Sequence, residues 1–127
     1  TGTARGNDKA MALALGKSGA DLVLCDILKQ ELFETVKKIK ILTDSNVIGY
    51  SCDLINRKEI SGFIKLIKSN VAKIDILVNN AGITFSKDAL NYPLVDWEKT
   101  NKINLRAPFE LAQKTGEIMK KWKGNYN

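Results

Sequence analysis

Histidine is absent from this chain of 127 residues. That removes the usual zinc and copper ligand sets, every Ser-His or Cys-His nucleophile pair and the commonest general base, so no metal site is expected. Cysteine is scarce: Cys25 and Cys52 stand 27 positions apart without a C-x-x-C motif, which fits buried reduced thiols in a reducing compartment better than a disulfide framework. No apolar run approaches the roughly 18–20 residues of a membrane span, and no basic stretch leading into an apolar one opens the chain. The expectation is a soluble, cytoplasmic protein with no membrane partner.

What is present looks globular. Apolar residues make up 44% and charged residues 27% of the chain, and a chain of this size buries roughly two-thirds of the surface its unfolded form exposes. The net charge of +6 is uneven, with nine basic and eight acidic residues in 1–60 against eleven and six in 61–127. Its densest piece is Lys120, Lys121 and Lys123 around Trp122. Lysines beside an aromatic suit nucleic acid or lipid headgroups, but cations in the last turn of a helix are favoured by its dipole. The solvated helix end is the reading adopted, and no nucleic-acid partner is expected.

Short apolar or β-branched runs predict strands at Asp21–Asp26, Val47–Cys52 and Ile74–Val78. Leu32, Phe33, Val36 and Ile39 recur at helical spacing across Gln30–Leu42, as do Ile60, Phe63, Ile64, Ile67 and Val71 across Arg57–Val71. Asn56, with Glu59 three residues later, marks the start of the second of these helices. A first helix is predicted over Asp8–Ser18, stopped by Gly19, and a last one over Val95–Lys121, bent near Asn104–Pro108 because Pro108 cannot complete its backbone bonding. Alternating helices and strands of this apolar kind predict a parallel sheet covered by helices. The chain opens at Thr1 without Met, already inside a glycine-bearing turn that a strand normally feeds, and stops at Asn127 just after a helical pattern. Both ends look cut, with the opening strand of the sheet expected to be missing and its apolar edges exposed.

Three constellations carry chemistry. The opening T-G-T-A-R-G-N-D places Gly2 and Gly6 at a helix N-terminus, where unpaired N–H groups and the dipole suit a phosphate. Asp26 follows Gly6 by 20 residues, the offset at which a βαβ unit presents a carboxylate to a ribose hydroxyl. The third apolar run leads into Asn79-Asn80-Ala81-Gly82.

These residues resemble the short-chain dehydrogenase/reductase family. Asn79–Gly82 resembles its NNAG signature, Thr1–Gly6 its glycine motif, Cys52-Asp53 its strand-end acid and Ile103-Asn104-Leu105 its helical Asn segment, all in the family's order. The likeness is greatest to the subgroup that includes gluconate dehydrogenases and 3-oxoacyl carrier-protein reductases. It implies a Rossmann-like doubly wound fold over residues 1–127, present as a single partial NAD(P)-binding domain that lacks its first strand and its C-terminal catalytic half. The backbone of Gly2, Thr3, Ala4, Arg5, Gly6 and Asn7 would then lie under the pyrophosphate and its ribose. Asp26 would accept from the adenosine ribose and disfavour a 2′-phosphate, so NAD is expected over NADP, although Arg5 is of a type that can face that phosphate. Asp53 would bond the adenine amine with Leu54 packed nearby, and Asn80, Ala81 and Gly82 would border a cofactor ribose. Asn104 would be the active-site Asn of a proton relay. The parent enzyme would oxidise or reduce a small alcohol or ketone and form a homo-oligomer.

Two departures stand out. The family usually shows Ile-Gly where this chain has Asn7-Asp8, and Asp8 brings a negative charge into a first turn meant for an anion, so weaker coenzyme binding is expected. The family's Tyr-x-x-x-Lys acid/base pair is also absent: Leu54 follows Tyr50 by four, Asp96 follows Tyr92, and Tyr126 is too near the end. Three readings stay open: a truncated product of an enzyme gene, a noncatalytic relative that binds a nucleotide or partner, and a basic nucleic-acid-associated module.

Overall fold

The computed structural model describes residues 1–123, except for the side chains of Trp122 and Lys123. Tyr126 therefore lies outside the described residues, as do the side chains of Trp122 and Lys123 in the basic cluster. The chain divides into two compact units, Thr1–Asp53 and Leu54–Asn127.

The first unit runs α1 (Gly6–Lys17), β1 (Leu22–Asp26), α2 (Lys29–Leu42) and β2 (Val47–Ser51). Strands β1 and β2 are parallel, with Leu22 opposite Val47 and Asp26 opposite Ser51. Helix α1 starts two residues before the predicted boundary and ends in a Schellman arrangement. Gly19 adopts φ +85°, its N–H reaches the Gly16 carbonyl at 3.0 Å, and the Ala20 N–H reaches that of Leu15 at 3.1 Å. The helical period of α2 turns Leu32, Val36 and Ile39 inward. There they join Ala12 of α1, Leu22 and Leu24 of β1 and Val47 of β2 in one core. Burying each of the large side chains contributes about 1.5–3 kcal/mol.

The second unit begins with α3 (Arg57–Asn70), opened as the sequence predicts by Asn56, whose side chain accepts from the Lys58 N–H and donates to Glu59 at 2.9 Å. Helix α3 buries Ile60, Phe63, Ile64 and Ile67 and packs against α5 (Ala107–Lys123), where Ala107 and Leu111 are buried. The buried Glu110 carboxylate meets Arg57 Nε at 3.4 Å, tying the two helices. The predicted bend in the last helix is a π-helical segment, Lys102–Arg106, joining α4 (Leu94–Asn101) to α5. Pro108 has no N–H to donate to the ladder, and the segment just before it takes the wider π-helical bonding.

One predicted element does not form. Ile74–Val78 belongs to no ladder, and the described sheet is β1–β2 alone. An apolar β-branched run supplies the propensity for a strand, but a strand exists only where a neighbouring backbone completes its hydrogen bonds. Residues 71–88 form an irregular connection instead, followed by a single 3-10 turn at Ala89–Asn91.

Candidate functional site

In the first unit the glycine turn is fastened to the tip of β1. The Cys25 carbonyl accepts from the Gly2 N–H at 2.8 Å, the Thr3 N–H at 3.3 Å and the Thr3 hydroxyl at 3.4 Å. The Ala4 N–H donates to Asp26 Oδ2 at 2.8 Å, and the other oxygen, Oδ1, accepts from the Leu28 N–H at 2.9 Å. One buried carboxylate thus links the turn before α1 to the turn before α2. Gly2 and Gly6 take positive φ values of 79° and 60°, a region that L side chains rarely enter.

These bonds sort the predicted cradle into two parts. Thr3 and Ala4 are buried, and the amides of Gly2, Thr3 and Ala4 are spent on holding the turn in place. Arg5, Gly6 and Asn7 form the exposed rim. Arg5 is the N-cap of α1 and makes no side-chain cap, so the first-turn N–H groups keep their capacity for an external acceptor. Asp8 is buried in that same turn.

The Arg5 guanidinium pairs with Glu31 of α2. Glu31 titrates below the usual glutamate range, first through a hydrogen bond from its own backbone N–H and then through Arg5. Cys25, next to Asp26, and Cys52 are both buried and are not joined by a disulfide. A hydrogen bond with Cys52 holds the Cys25 thiol below its ordinary pKa, against burial, which pushes it up. Asp53 follows at the end of the unit, half-buried.

In the second unit Leu54 is buried, and the structure brings Asn104 to the segment that follows Asn79-Asn80. Asn104, on the π-helical segment, accepts from the Ile83 N–H through Oδ1 at 2.9 Å and donates through Nδ2 to the Ile83 carbonyl at 2.7 Å. Gly82 lies against it, and a Cβ there would stand 3.4 Å from Asn104 Oδ1. Asn79 donates to the Pro108 carbonyl at 3.2 Å. Asn80 is exposed and Ala81 half-buried. The π turn and the Asn79 bond were missed by the sequence reading. Pro108 marked where the helix would be disturbed, but nothing in the pattern marked Asn79 as its tether.

A family model described as short chain dehydrogenase matches residues 1–125. The chain is 37% identical over 120 residues to a 2-dehydro-3-deoxy-D-gluconate 5-dehydrogenase of Pseudoalteromonas atlantica, covering 94% of this chain and 47% of that protein. It is 32% identical over 123 residues to a 3-oxoacyl-[acyl-carrier-protein] reductase of Synechocystis, covering 97% and 50% respectively. Among solved structures, a 7 alpha-hydroxysteroid dehydrogenase complexed with NADH and 7-oxo glycochenodeoxycholic acid superimposes with a TM-score of 0.89 at 30% identity, over 95% of this chain and 47% of that one. A metagenomic short-chain oxidoreductase in complex with NADP superimposes with a TM-score of 0.90 at 28% identity, over 96% and 55%. The chain spans about half the length of the curated relatives it matches.

Proposed function

The chain belongs to the short-chain dehydrogenase family, and from that premise we propose that it is the coenzyme-holding part of an NAD-linked oxidoreductase acting on an alcohol or the corresponding ketone. The observation that carries this reading is Asp26, whose carboxylate organises the glycine turn through Ala4 and Leu28. A carboxylate has about four lone-pair sites, so two accepted N–H bonds leave room for a ribose hydroxyl. The positive-φ glycines and the uncapped start of α1 fit a pyrophosphate, so the residues present suit the dinucleotide.

In this reading Arg5, Gly6 and Asn7 receive the pyrophosphate, with Gly2, Thr3 and Ala4 forming the floor of the turn. Asp26 accepts from the adenosine ribose, Asp53 from the adenine amine, and Leu54 supplies apolar contact. Asn80, Ala81 and Gly82 border a ribose, and Asn104 holds the Ile83 backbone in place for the relay. The bound dinucleotide supplies the carbon that gives or takes the hydride. NAD is favoured over NADP on two grounds: the Asp26 charge opposes a 2′-phosphate, and Arg5 already has an anionic partner in Glu31. The exposed apolar side chains Trp97, Leu105 and Phe109 on the α4–α5 stretch support self-association.

The 127 residues contain no Tyr-x-x-x-Lys, and a positioned acid/base typically contributes 10²- to 10⁴-fold to such a reaction. We therefore assign coenzyme binding without turnover to these residues alone. Calorimetric titration with NADH and NADPH tests the assignment. NADH is expected to bind more tightly than NADPH, and Asp8→Gly is expected to tighten NADH several-fold by removing a negative charge from the first turn of α1, since one such charge near a helix end is worth about 0.3–1 kcal/mol. Undetectable binding by both proteins refutes the assignment.

A further inference from the structure

The two cysteines, far apart in sequence, meet in the fold. Cys25 is the penultimate residue of β1 and lies opposite Tyr50 of β2. Cys52 stands two residues beyond Tyr50, and side chains two apart on a strand share a face, so both thiols project to the same side of the sheet. The ladder reaches Cys52, whose N–H donates to the Asp26 carbonyl at 2.9 Å, and leaves the two cysteines as diagonal neighbours with Cα atoms about 7–8 Å apart, so a disulfide needs the end of β2 to shift. Both side chains are 1% exposed, and a hydrogen bond joins them. Two thiols burying their sulfurs against each other, with neither oxidised, make a dithiol.

We propose that Cys25 and Cys52 are a redox pair that closes to an intramolecular disulfide when a peroxide oxidises it. The Cys25 sulfur attacks hydrogen peroxide, the O–O bond breaks, and sulfenic acid and water are left. The Cys52 sulfur then attacks the Cys25 sulfur, the S–O bond breaks, and hydroxide leaves with the Cys52 thiol proton as a second water. The two thiols lose two electrons and two protons, and the peroxide is reduced to two waters. Cys25 is the thiol oxidised first because its hydrogen bond with Cys52 favours the nucleophilic thiolate. Cys52 is the one that moves, since it lies one residue past the last of β2, where strand ends open at lower cost than ladder interiors, and that opening is what admits peroxide to the buried Cys25. Each cysteine directly precedes an aspartate, Asp26 or Asp53, so the bond would tie together the two strand ends that carry them. The chemistry itself requires no coenzyme.

Intact-mass spectrometry of the full chain tests this, after hydrogen peroxide treatment and alkylation under denaturing conditions. A monomer lighter by about 2 Da that resists alkylation, maps to a Cys25–Cys52 cross-linked peptide and reverts with dithiothreitol is the expected product. A gain of about 16 Da or more as the main product, or an intermolecular dimer, overturns the pairing. In Cys52→Ser the resolving sulfur is gone, so dimedone should capture a sulfenic acid at Cys25. No adduct at Cys25 in that variant overturns its assignment as the thiol oxidised first.

Discussion

Asp26 is the residue on which most of the first unit's functional geometry depends. Each of its oxygens accepts a backbone N–H, so replacing one oxygen by an amide nitrogen sets a donor against a donor. Asp26→Asn is expected to destabilise the chain by about 1–3 kcal/mol, the cost of leaving a buried N–H unsatisfied, read as a lower denaturant midpoint at unchanged slope. Asp26 was visible in the sequence because its offset from Gly6 is fixed by the length of one helix and one strand. Its bonds to Ala4 and Leu28 were not visible, since they depend on how the two turns close around it.

Arg5 and Glu31 give a second expectation at this scale. Glu31 is held below its ordinary range, so it favours the folded state above that range, and the contribution is lost as pH falls through the lowered value. Arg5→Ala is expected to move the Glu31 titration upward but to leave it below the ordinary range, because the larger cause, the bond from its own backbone N–H, remains. Carboxyl NMR shifts followed against pH measure this directly. An unmoved titration would show that the ion pair contributes nothing.

At the scale of elements, the seating of α2 on β2 depends on a missing side chain. A Cβ on Gly49 would stand 2.8 Å from Val36 Cγ2 and 3.4 Å from the Phe33 ring. Val36 is β-branched and confined in its rotamer within α2, so the clash cannot be relieved by a simple swing. Gly49→Ala is expected to cost about 1–3 kcal/mol, seen as a lower melting temperature. The periodicity of Leu32, Val36 and Ile39 identified α2 and its buried face from sequence, because helix period is a local property. The run at Ile74–Val78 was misread as a strand for the opposite reason: pairing is not local, and no ladder includes it. The π-helical turn falls between these cases, since Pro108 announced a disturbance but not its form.

At the scale of the whole molecule, the family landmarks sort into the two units. Gly2 to Asn7, Asp26 and Asp53 belong to Thr1–Asp53, whereas Leu54, Asn80 to Gly82 and Asn104 belong to Leu54–Asn127. No helix among the described residues is long and apolar enough to cross a membrane. The proposed coenzyme role stands or falls on whether the turn pinned by Asp26 holds a dinucleotide. The most direct measurement is amide chemical-shift mapping of the isotope-labelled chain titrated with NADH. The account predicts saturable shifts concentrated at Arg5, Gly6, Asn7, Asp26 and Asp53, and shifts absent from those residues at saturating NADH would contradict it.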